Sequence, residues 1–354
     1  MIIRLAASKK RLLRRLTAVL IFALLAAALC ACAAGRRQKG PLPVQVLIIP
    51  KFEVDQMTGD FPGEAQYYYE TYLAGGDVYE IGSGEDAVKL YYKDGAALFV
   101  TGQGKISAAL STAAVLSDDR FDFSGAYILS TGCAGSAAGY GIMGDVYVIS
   151  ATVDYDLGHH ADPREMTVET DTTWFRVDEY DEISAVRLDP ALVARVYDLV
   201  KDVQPKTTAQ TEAYLKRAFP GEAWADRAPA VLRGTAVTGD NFWKGFYGHS
   251  NALLITETYN CPDPFAVTEM EEVAIARTVK RFGLLDRLIV IRCSVNMDLF
   301  PPDTTPESLW GDAYDDLAGE ESEESADIFA TAMENNFAVG RIIIDAILSG
   351  ELQQ

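Results

Sequence analysis

Ala126-Tyr127-Ile128-Leu129-Ser130-Thr131-Gly132-Cys133-Ala134-Gly135 and, shortly after it, Gly144-Asp145-Val146-Tyr147-Val148 set the architecture of this chain. Residues 126–130 lack the apolar-polar alternation of a half-solvated strand, so they predict a strand covered on both faces. Closely spaced glycines follow, and without a Cβ the backbone can turn tightly and come close to a ligand. The same alternation of β-rich and helical runs extends in both directions. Strands are read at 44–49, 88–92, 96–101, 145–151, 231–238, 252–256 and 288–293, and helices at 105–116, 189–203, 266–282 and 324–348. Several strands are near-continuous in Val, Ile and Leu. This order predicts an α/β fold, a three-layer sandwich with a mixed central sheet. The stretch 154–229 is more charged and less periodic, and reads as an insertion decorating that core.

The chain has 354 residues, 49% of them hydrophobic, which is ample for a sizeable core. Acidic residues outnumber basic ones 51 to 31, so nothing attracts phosphate backbones in general, and nucleic acid is not an expected partner. Beyond Cys32 the cysteines are Cys133, Cys261 and Cys293, and the histidines are His159, His160 and His249. None has metal-ligand spacing, so no metal and no cofactor is expected. The acids between 312 and 327 read as a solvated loop before a helix, with calcium binding as the lesser reading.

Residues 1–31 carry six basic and no acidic side chains, and an apolar stretch from Leu16 to Ala34 follows the basic part. This is the pattern of a secretory signal. Its end, Leu29-Cys30-Ala31-Cys32, resembles a bacterial lipoprotein box. Cys32 is the better lipidation site because bulky Leu29 directly precedes Cys30. The competing reading is an uncleaved anchor helix. Either way the expectation is a protein held at the outer side of the cytoplasmic membrane or the cell envelope, with residues 32–43 as a tether and 44–354 as the folded body.

Further motifs occur in a fixed order. They are Thr101-Gly102-Gln103-Gly104-Lys105, Thr238-Gly239-Asp240-Asn241-Phe242-Trp243, Glu269-Met270-Glu271 and Ile291-Arg292-Cys293-Ser294-Val295-Asn296-Met297-Asp298. With the two stretches quoted first, they resemble the nucleoside phosphorylase and nucleosidase superfamily, in particular the methylthioadenosine/adenosylhomocysteine nucleosidases. Over residues 44–349 the overall resemblance is to the family called purine nucleoside permeases. The resemblance implies a nucleoside phosphorylase-like fold and a purine nucleoside ligand, with Gly104, Cys133, Ala134 and Gly135 approaching it closely. It further implies that Phe242, flanked by Trp243, stacks on the base, that Met270 lies under the sugar, and that Glu271 binds the ribose hydroxyls. A carboxylate suits two adjacent hydroxyls and a thioether suits an apolar sugar face. Where nucleosidases carry an aspartate that protonates the base, this chain has Asn296, which can hydrogen-bond a 6-oxopurine but cannot deliver a proton. Asp298 is the alternative acid. Asp55 or Glu53, after the first strand, would position the attacking water. His249 would contact the 5′-hydroxyl.

Phosphorylases of the superfamily place an arginine before the second motif, whereas Ser130 and Thr131 stand here. Water is therefore the expected nucleophile, and purine nucleosidase activity is expected ahead of phosphorolysis. The alternative function is a non-catalytic nucleoside-binding protein that passes its ligand to a separate transporter. A homodimer is implied by the resemblance.

Overall fold

The computed structural model describes residues 40–84, 87–167, 170–302, 304–305 and 323–353. The leader at 1–31, Cys32, most of the tether and most of the acidic run at 312–327 lie outside the described residues. Ten strands form the main sheet. They are β1 (Val46–Ile49), β2 (Asp77–Ile81), β3 (Val88–Lys93), β4 (Ala96–Leu98), β5 (Tyr127–Ser136), β6 (Val146–Asp154), β7 (Ala185–Arg187), β8 (Val231–Thr238), β9 (Phe265–Glu269) and β10 (Leu288–Met297). The helices that matter here are α1 (Lys105–Leu116), α2 (Pro190–Val200), α3 (Ala209–Ala218), α4 (Phe246–Thr258), α5 (Glu272–Arg281) and α6 (Glu323–Leu348).

The order across the sheet is β7-β6-β8-β9-β5-β1-β4-β3-β2, and β10 pairs with both β5 and β6. β1 runs parallel to β4 and β5, and β8 runs parallel to β6 and β9. The pairs β9–β5, β10–β6, β3–β4 and β2–β3 are antiparallel, so the sheet is mixed as expected. The pairings β5–β9–β8–β6–β10–β5 close a ring of five strands, from which β1, β4, β3 and β2 extend beside β5 as an open wing, with β7 as a single edge strand beside β6. Every residue of β1 and β6 is buried, odd and even positions alike, so both faces are covered. α1 packs with α5, and α6 with α2, β5 and β10, to provide that cover.

Three sequence expectations are corrected. Residues 252–256 are helical, not a strand. The buried positions of α4 are Asn251, Ala252, Ile255 and Thr256, a 3.6-residue spacing that a short apolar run hides. The helix read at 266–282 divides into β9 and α5. Glu269 causes the break, because its Oε2 accepts the backbone N–H groups of Glu271 and Glu272 at 2.7 and 2.8 Å and so satisfies orphan donors where the new helix starts. The 154–229 stretch is more than decoration. β7 is an edge strand of the main sheet, and α2 buries Leu192, Val193, Val196 and Val200 beside β6 and β10.

Candidate functional site

The site forms where β8, β9, β5 and β10 end beside the turn before α1. Thr238 and Glu269 are register partners on β8 and β9, and the Gly239 N–H donates to the Glu269 carbonyl at 2.9 Å. Gly104 has φ of 83°, a conformation that favours glycine, and its N–H donates to Glu271 Oε1 at 3.0 Å. The Lys105 N–H donates to Asp240 Oδ1 at 2.8 Å. Three of the motif segments, distant in sequence, are thus bonded to one another. These contacts also occupy the N-terminus of α1 with two of the protein's own carboxylates, where the sequence alone had left it open to a ligand. Lys105 Nζ then ties in the start of the 154–229 stretch, donating to Asp154 at 2.9 Å and Asp156 at 2.7 Å.

Beneath this turn lies a buried ionic cluster. Arg292, 1% exposed, points from β10 and reaches Glu269 at 3.0 Å, Glu271 at 3.1 Å and Glu272 at 2.8 Å, and its Nη1 donates to the Cys133 carbonyl at 2.7 Å. Burial works against the guanidinium's charge, but the three glutamates hold it firmly protonated. Lys51, also buried, donates to Ser130 Oγ at 2.7 Å and the Thr131 carbonyl at 2.9 Å, and pairs with Glu272 at 2.8 Å. Both cations therefore have several partners each. Glu271 has one oxygen on Gly104 and the other on Arg292, which leaves further lone pairs on each for two hydroxyl donors.

Burial pushes the Glu269 carboxyl up to about 7, against the pull of Arg292. A carboxyl that protonates more readily in the native chain than in the unfolded one adds stability that is full below its ordinary value of 4.5 and fades as pH rises through about 7. Subtracting the unfolding free energy of Glu269→Gln from that of the unaltered chain should give a difference that falls with rising pH across this window. A flat or rising difference would refute the assignment.

Sequence reasoning missed Glu64. It is 5% exposed and accepts the backbone N–H of Lys51 and that of Cys133, both at 2.7 Å. A Cβ on Gly132 would come within 2.6 Å of its Oε1, so the glycine before Cys133 makes room for this carboxylate. Burial raises its proton affinity, opposed by Arg292 and Lys51. Glu53 and Asp55, the acids expected to position water, are placed otherwise. The Glu53 carboxylate accepts the N–H groups of Val54, Gly63, Ala65 and Gln66 and so organises the 53–66 loop. Asp55 is exposed at a left-handed φ of 49°.

Cys133 takes part through its backbone, and burial pushes its thiol well above the usual range, which removes thiolate character. Ala134 is buried and paired with Ser294. The register of β10 on β5 slips between Ser294 and Asn296, a bulge that puts Asn296 opposite Gly135, with its Oδ1 2.7 Å from where a Gly135 Cβ would stand. Asn296 is exposed. Phe242 is 80% exposed, an apolar ring with an open face, and Met270 is half-buried. Trp243 differs from its expected role: it stacks on Tyr155, ring centres 5.1 Å apart, within a cluster containing Trp174 and Phe265. It supports the loop that carries Phe242. Asp298 is buried, its Oδ1 accepts the Ala138 N–H at 2.9 Å, and its Oδ2 lies 2.7 Å from His249 Nδ1. A separate cavity of about 530 Å³ borders Thr101 and Gly102, lined also by Met57, Tyr91, Ser107 and Leu110. Among the described residues no group of three or more His, Cys, Asp and Glu side chains is disposed to hold a metal.

A family model described as purine nucleoside permease matches residues 43–351. A probable purine nucleoside permease of Schizosaccharomyces pombe is 26% identical over 221 residues, covering 56% of this chain and 63% of the relative, so the match spans less than two thirds of that protein. Among solved structures, the 5′-methylthioadenosine/S-adenosylhomocysteine nucleosidase of Neisseria meningitidis, in complex with methylthio-immucillin-A, aligns with a TM-score of 0.51. It is 18% identical, and the alignment covers 85% of this chain and 98% of that one. The futalosine hydrolase of Helicobacter pylori aligns with a TM-score of 0.51 at 14% identity, over 86% of this chain and 97% of that one. At these identities the structures establish a shared nucleosidase fold.

Proposed function

The chain belongs to the purine nucleoside permease family, and on that footing we propose that it binds purine nucleosides and hydrolyses their N-glycosidic bond. The observation that carries this is the pairing of Glu271 with Gly104 above the Arg292 cluster, with the buried Glu64 close by. Phe242 stacks on the base, Asn296 hydrogen-bonds its edge, Met270 lies under the sugar, and Glu271 accepts its two hydroxyls. Glu64 takes the role the sequence assigned to Asp55 and Glu53. A desolvated carboxylate with raised proton affinity is suited to draw a proton from water attacking C1′. Water is the nucleophile because Lys51 and Arg292 are spent on internal partners, and no arginine precedes the Gly132 motif.

A second reading is a non-catalytic component that hands nucleoside to a separate transporter, favoured by Asn296 standing where an acid is needed. Among the described residues no helix is long and apolar enough to cross a membrane. Incubating the purified full chain with inosine, guanosine and adenosine, with and without phosphate, separates the two. Base release independent of phosphate is expected. Tight binding without release would favour the second reading, and release only with phosphate would overturn the hydrolytic one. Lipid attachment at Cys32 anchors the protein outside the cytoplasmic membrane, and Cys32→Ala should move it from the membrane fraction to the soluble one. Retention of the variant in the membrane would instead favour the uncleaved helix.

A further inference from the structure

We propose that His249 and Asp298 form the proton-donating dyad of this site, His249 as the acid that protonates the departing purine and Asp298 as its positioning residue. The inference rests on the hydrolytic reading above. It begins from a gap: Asn296 occupies the place at the base, and an amide gives a hydrogen bond but no proton. Two residues further along the same chain, Asp298 is buried with one oxygen fixed by the Ala138 N–H at 2.9 Å. Its other oxygen lies 2.7 Å from His249 Nδ1, on the first turn of α4. The carboxylate accepts only, so Nδ1 carries a proton toward it and Nε2 is the nitrogen left to exchange one.

The dyad is tied to both residues proposed to hold the base. The Gly245 N–H donates to the Asp298 carbonyl at 2.7 Å and the His249 N–H to the Gly245 carbonyl at 3.0 Å, which pins the end of the loop carrying Phe242 to the segment carrying Asn296. The His249 side chain is 15% exposed, enclosed yet reachable. From β9, Phe265 lies 5.9 Å away ring to ring and brings no charge, so Asp298 is the charged group in contact with His249 among the described residues.

In the reaction, water attacks C1′ and gives a proton to Glu64 as the new C–O bond forms. The C1′–N9 bond breaks and its electron pair passes into the purine. The Nε2 proton of the imidazolium moves to N7, so the base leaves as a neutral N7–H tautomer. His249 remains neutral with Nδ1–H on Asp298, and the proton on Glu64 returns through solvent to restore the imidazolium. Protons and electrons balance with no other reactant.

Leaving-group dependence tests this. With 7-methylguanosine the imidazole ring of the base is already cationic and N7 needs no proton. His249→Gln in the full chain should lower kcat for guanosine by about 10²–10⁴-fold, with a much smaller change in KM, and the loss should shrink to a few-fold with 7-methylguanosine. Asp298→Asn should show the same dependence on leaving group, which a merely structural role would not. Equal losses on both substrates, or undiminished guanosine cleavage by His249→Gln, would overturn the dyad and leave the hydrolytic reading intact. An unaltered chain that cleaves neither nucleoside would overturn both.

Discussion

Arg292→Met is expected to cost the fold about 3–5 kcal/mol, the scale at which removing one partner from a buried ion pair destabilises a protein. The side chain is 2% exposed and bridges Glu269, Glu271 and Glu272, so its loss leaves three buried carboxylates with Lys51 as the nearest cation. Met retains much of the apolar stem, so lost packing contributes little. Chemical unfolding of the variant checks this, and a loss below about 1 kcal/mol would show that the cluster is solvated or already neutralised. Adding Glu269→Gln to Arg292→Met should recover part of the loss, because one uncompensated carboxylate is then gone while Glu272 keeps Lys51 as its partner.

The second large effect is on chemistry. Glu64→Gln removes the only group assigned to accept the water proton, so nucleoside hydrolysis should fall by about 10²–10⁴-fold while nucleoside binding changes little. The amide also loses one of the two acceptors now used by the Lys51 and Cys133 N–H groups, so some stability is lost as well. Ligand affinity separates the two effects. A folded variant that binds inosine normally yet hydrolyses it at the original rate would remove Glu64 from the mechanism and return the question to Asp55 at the exposed turn.

Part of the candidate site was marked out in the sequence by motifs that carry a family resemblance. Gly104, Glu271 and the Thr238–Asp240 turn were singled out by that resemblance, since local spacing alone reads Glu271 as part of a solvated first helical turn, and the structure bonds their segments to one another. Glu64 was not legible. It stands thirteen positions after its partner Lys51, across a loop held together by Glu53, and nothing in local periodicity says that this loop folds back on Cys133. A usable signal did exist in Lys51, a cation two residues after a fully buried strand, and in Arg292, a charge inside an apolar one. Each demanded a buried carboxylate partner. The bulge that aims Asn296 outward left no trace in the sequence, because a one-residue slip depends on the partner strand. The strand misread at 252–256 reflects an apolar run too short to separate period 2 from 3.6.

The central claim is that these segments build one purine nucleoside cleft. Its most direct test is a crystal structure of the full chain with formycin B, a C-nucleoside whose glycosidic bond cannot be hydrolysed. The expected result places the base against Phe242 and Asn296 and the ribose diol on Glu271, with a water between C1′ and Glu64. A ligand seated instead in the cavity beside Met57 and Tyr91, or density absent from the Glu271 turn at saturating concentration, would contradict the account.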